Sequence, residues 1–120
     1  MKVVLIGGNP KGHRIPFSSK TFSGRRLHKI IKKAGLTCEI VDMTSNSNDV
    51  CSDEEKELLR KRFENCQVVF LGRFVERQLR DVFPNGVYLP HPASRRKKDL
   101  ERLEEGLKKL KNMKEESEVE

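Results

Sequence analysis

Two runs of consecutive apolar residues, Val3-Val4-Leu5-Ile6 and Val68-Val69-Phe70-Leu71, constrain this chain more than anything else in it. Side chains alternate across a strand, so a run without a polar position needs cover on both faces. Such runs belong in a parallel sheet enclosed by two helical layers. Two further apolar runs, "CEIV" at 38–41 and "VYL" at 87–89, supply the other candidate strands.

Between these runs the apolar spacing lengthens to that of a helix. Leu27, Ile30, Ile31 and Ala34 share one face, and Gly35 supplies a stop. The segment "SDEEKELLRKRFEN" opens with Ser52 as N-cap and Glu55 at the capping-box position. Its acidic first turn and basic later turn suit the helix dipole. In "RFVERQLRDVF", Val75, Leu79 and Val82 fall on one side ahead of a Pro84-Asn85-Gly86 turn. A last helix over about 97–113 carries Leu100, Leu103, Leu107, Leu110 and Met113 as a core-packing stripe. The acidic residues 114–120 are expected to form a disordered tail.

Strand–helix alternation of this kind predicts an α/β fold, with α/β/α layers around a four-stranded parallel sheet of order 2-1-3-4. At 120 residues the chain suits one domain, here placed at 1–113. In such sheets ligands bind beyond the carboxyl ends of the strands. Three unusual stretches follow three strands directly: "GGNPKGHRIPFSS", "GRFVE" and "PHPASRR". They should gather on one edge, and that convergence marks a site.

Net charge is +7, unevenly placed. From Lys11 to Lys33 the chain carries Lys and Arg but neither Asp nor Glu, and Arg95-Arg96-Lys97-Lys98 forms a second cluster. A phosphate-bearing partner, DNA or another nucleic acid, is the natural inference. Charged residues reach 36% with no Trp, a composition that points to a thermophilic source. No run approaches the roughly 20 apolar residues of a membrane span, and no signal-peptide pattern is read. A soluble, cytoplasmic monomer is expected. The cysteines, Cys38, Cys51 and Cys66, are odd in number and lack a C-x-x-C pair, so reduced thiols are expected, with no disulfide framework and no metal site.

The chemistry-bearing candidates lie on the loops. Gly7 and Gly8 permit a sharp turn and close approach of a ligand, and Pro10 biases Asn9 away from the helical region. An Asn carboxamide held there can orient a water or pair with an amide-like edge. His91, between Pro90 and Pro92, can donate a hydrogen bond to an oxygen that gains charge. Ser94, Arg95 and Arg96 suit phosphate contacts, with Lys11, Arg14, Lys20 and Arg25 extending the basic face. Phe17 could stack on a flat base, a contact worth about 1–3 kcal/mol, or plug the core. His13 and His28 read as basic-face residues.

"GGNP" after the first strand, "PF" downstream, "LGRFV" at the third strand and "LPHPASRR" at the fourth resemble the uracil-DNA glycosylase superfamily, motif by motif over roughly residues 3–98. That family has a first motif of the type G-x-[Asn/Asp/Ala/Glu]-P and a second of the type His-Pro-Ser, on a sheet of order 2-1-3-4. The Asn-type first motif is similar to that of the mismatch-specific and single-strand-selective branches. The resemblance implies that Asn9 positions the water attacking C1′ and that His91 stabilises the departing base. Phe17 would stack on the extruded base, with Gly8 beside it. Ser94, Arg95 and Arg96 would grip the backbone. Asp42 sits nearest the place where the family reads the base with an Asn, and Asn46 and Asn48 are alternatives. The cysteine set of the iron–sulfur branch is absent, so that cofactor is not expected.

Two other readings remain open. One is a non-catalytic member of the same fold that binds nucleic acid or a nucleotide. The other is a flavodoxin-like FMN-binding protein, for which Ser18, Ser19 and Thr21 would hold a phosphate. That reading leaves "LPHPASRR" without a role.

Overall fold

A computed structural model describes residues 2–8, 22–44 and 50–118. In chain order these residues form β1 (Val3–Gly7), α1 (Phe22–Ala34), β2 (Glu39–Asp42), α2 (Asp53–Arg62), β3 (Gln67–Leu71), α3 (Arg73–Leu79), β4 (Val87–Leu89) and α4 (Lys97–Glu118). The strands make one sheet of order β2-β1-β3-β4, every neighbouring pair parallel. This is the α/β fold and the strand order expected from the apolar runs.

The two continuous runs divide their side chains between two cores. Val3, Leu5, Val69 and Leu71 pack with Leu27, Ile30, Leu103 and Leu107, beneath α1 and α4. Val4, Ile6, Val68 and Phe70 pack with Leu59, Phe63, Val75 and Leu79, beneath α2 and α3. Each fully buried Leu or Phe contributes about 1.5–3 kcal/mol, so strands apolar at every position anchor both layers.

Local signals set several helix ends. The Glu55 N–H donates to Ser52 Oγ and the Ser52 N–H to Glu55 Oε1, both at 3.1 Å, closing the expected capping box. Gly35 ends α1 at φ +69°, a left-handed conformation that favours glycine. Two expectations shift. The α3 helix stops at Leu79, and Val82 lies in the following turn, its N–H donating to the Leu79 carbonyl. The α4 helix reaches Glu118, beyond the expected end at 113, because the Lys and Glu residues there are good helix formers. Met113 is 59% exposed although it continues the apolar period, unlike the buried Leu103, Leu107 and Leu110.

Candidate functional site

At the carboxyl edge of the sheet, β1, β3 and β4 run directly into Gly8, Gly72 and Pro90-His91. The described parts of the three unusual stretches therefore do gather on one edge. A Cβ placed on Gly8 would meet nothing within 4 Å among the described residues. At Gly72 φ is +98°, and its N–H donates to the Leu89 carbonyl at 2.9 Å. A Cβ there would lie 3.4 Å from His91 Cβ and 3.6 Å from Cδ2, so the imidazole rests against bare backbone. Sequence reasoning placed Gly72 on this edge without giving it a role. The signal was a glycine wedged between an apolar strand and a helix.

The loop after β4 fixes His91 from several directions. Pro90 and Pro92 are buried on either side of it. The Ala93 N–H donates to His91 Nδ1 at 3.0 Å, and the Ser94 N–H donates to the His91 carbonyl at 3.0 Å. A ring nitrogen that accepts an N–H carries no proton itself. The neutral imidazole therefore bears its proton on Nε2, which is a donor. Ser94 Oγ donates to Asp99 Oδ2 at 2.7 Å and accepts from the Arg96 N–H at 3.2 Å. Both hydrogen bonds of the Ser94 hydroxyl thus hold the loop to the start of α4. Arg95 and Arg96 are exposed beside it, as is Arg25 on α1.

Arg26, which sequence reasoning did not single out, reaches this loop from α1. Its Nη1 donates to the carbonyls of Pro92 at 3.1 Å and Ser94 at 2.9 Å. Nothing in the sequence separates it from Arg25, because its partners lie 66 and 68 residues away.

Asp42 closes β2 opposite Gly7, and the next residue's N–H donates to the Gly7 and Gly8 carbonyls at 2.7 and 3.1 Å. Burial pushes its carboxyl up to about 6, because a charge leaving water is disfavoured. Just beyond, the buried Thr44 donates its hydroxyl to the Glu55 carboxylate, tying the exit of β2 to α2. Asn9, Lys11, Arg14, Phe17 and Lys20 lie outside the described residues, as do Asn46 and Asn48. No group of three or more His, Cys, Asp or Glu side chains is arranged to hold a metal among the described residues. All three cysteines are free thiols, and burial pushes the Cys51 thiol up. Among the described residues no helix is long and apolar enough to cross a membrane.

A family model described as the uracil DNA glycosylase superfamily matches residues 1–114. The chain belongs to that superfamily. Neither a curated protein nor a solved structure gives a significant match.

Proposed function

We propose that this protein is a DNA glycosylase that hydrolyses the N-glycosidic bond of a damaged base, uracil or a related one. One observation carries the reading: the Ala93 N–H on Nδ1 leaves His91 as an Nε2 donor at the carboxyl edge. Water attacks C1′, and the bond from C1′ to the base nitrogen breaks with its electron pair going to the base. The proton lost by the water goes to solvent or to the departing base. Negative charge develops on the base oxygen, and a preorganised neutral donor stabilises it without reorganisation. Asn9 orients the attacking water, and Phe17 stacks on the base once it has left the duplex.

The groups around this centre take distinct roles. Ser94 holds the loop, while the exposed Arg25, Arg95 and Arg96, with Lys11, Arg14 and Lys20, contact phosphates. Asp42 faces the base edge. Its carboxylate accepts hydrogen bonds and so favours an edge that presents N–H donors, whereas the protonated acid, present below about pH 6, can also donate to an oxygen such as O4 of uracil.

The test is single-turnover release of the base from oligonucleotides carrying uracil, hypoxanthine or another lesion, read as strand scission after alkali. Activity on at least one lesion that falls in Asn9→Ala and His91→Ala is expected. Binding that weakens steeply with salt through counterion release, with no excision of any lesion, would leave the non-catalytic reading in its place.

A further inference from the structure

We propose that Arg26 is a positioning residue for His91, holding the turn at 91–94 so that the imidazole keeps its proton on Nε2. This rests on the glycosylase reading for its catalytic meaning, although the geometry stands apart from it.

The turn is short of its own hydrogen bonds. Pro90 and Pro92 have no N–H to give. The two amides between Pro92 and Arg95 are both directed at His91, one to its ring and one to its carbonyl. The outward carbonyls of Pro92 and Ser94 are met from outside the turn, by Arg26 Nη1. A single planar nitrogen with two hydrogens can serve two carbonyls separated by one residue, and a guanidinium stays charged throughout the working pH range. Fixing those carbonyls fixes the Pro92–Ala93 and Ser94–Arg95 peptide planes. The plane between Pro92 and Ala93 aims the Ala93 N–H at Nδ1.

A purely structural role for Arg26 is the competing explanation. It is disfavoured because α1 and α4 are already docked by Leu27, Ile30 and Ala34 against Leu103, Leu107 and Leu110. To that contact Arg26 adds its two hydrogen bonds to the carbonyls of Pro92 and Ser94.

The test compares wild type with Arg26→Ala, Arg26→Gln and Arg26→Lys. The first readout is the ring nitrogens of His91 in long-range 1H–15N spectra of the free protein. His91→Asn assigns the signals against those of His13 and His28, and Arg25→Ala controls for the loss of a neighbouring charge. Wild type and Arg25→Ala should show Nδ1 unprotonated and Nε2 protonated. Arg26→Ala and Arg26→Gln should shift both signals toward a tautomer mixture, with Arg26→Lys between.

The second readout is the single-turnover rate, which should fall roughly 10-fold in Arg26→Ala while KM and the thermal midpoint change little. Partial rescue by Lys is expected. Should Arg26→Ala fail to fold, Arg26→Gln is judged on the same two readouts. A wild-type pattern of His91 ring signals in Arg26→Ala or Arg26→Gln overturns the proposal, whatever happens to activity. If wild type itself excises nothing, the glycosylase reading fails, and the ring signals still decide the role of Arg26.

Discussion

At the amino end of the sheet, Gln67 Nε2 donates to the carbonyls of Val68 and Asn85, and Arg80 donates to those of Pro84 and Gly86. Glu39 sits between Lys2 at 2.7 Å and Arg62 at 2.8 Å. At the carboxyl end, Arg26 likewise holds backbone carbonyls, but the same edge carries a histidine whose Nδ1 accepts an N–H, an Asp42 carboxyl pushed up by burial, and glycines at 8 and 72. A hollow of about 460 Å³ lies at the amino end, bordered by Phe63, Cys66, Gln67, Phe83 and Asn85. Concavity alone therefore does not mark the candidate site. The chemistry of the groups gathered at each end does.

Substitutions at the two ends should accordingly fail in different ways. The largest effect is expected of His91→Ala, which removes a preorganised donor and should slow single-turnover excision about 10²–10³-fold while leaving the thermal midpoint in place. A comparable loss of stability in that variant would erase the distinction between the ends.

Gly86→Ala is the counterpart at the amino end. A Cβ there would lie 2.4 Å from two ring atoms of Phe70, which is fully buried and cannot swing aside. Overpacking of this kind costs about 1–3 kcal/mol, to be read from denaturant midpoints. Excision per folded molecule should be unchanged.

Asp42 comes next. In the folded chain it keeps its proton up to about pH 6, against an ordinary value near 3.8. Between those values folding takes up a proton, so stability gains as pH falls through the window and declines as pH rises through it. Urea unfolding at several pH values should show a flatter dependence in Asp42→Asn, and a more stable variant above pH 6. An unchanged slope would place this carboxyl in water.

The smallest effect is expected of Glu39→Gln. The Lys2 hydrogen bond is the chief cause holding the Glu39 carboxyl below its usual value, with Arg62 adding to it. Its partners are largely exposed, and such pairs are worth about 0–1 kcal/mol. Excision should not change at all.

How far the sequence reveals this molecule depends on the distance over which each feature is determined. The sheet is legible because runs like Val68 to Leu71 need two covering layers wherever they occur. The start of α2 is legible because Ser52 and Glu55 bond to each other, three residues apart. The exposure of Met113 is not legible, because an apolar period says nothing of whether a partner still lies beneath it. The same holds at the site. The placement of His91 at a strand end follows from local pattern. Its contact with Gly72 and the hold of Arg26 on its loop are made across the fold, so adjacent arginines that look alike in sequence differ in what they touch.

The most direct test of the difference between the two ends is to follow backbone amide shifts while an oligonucleotide carrying an excised lesion is titrated into the slowed variant His91→Ala. Shifts should concentrate at Gly8, Asp42, Gly72, residue 91 and residues 93–96. Shifts confined to the stretch from Phe63 to Gln67 and to Asn85 and Gly86 would place the ligand at the amino end and contradict the account.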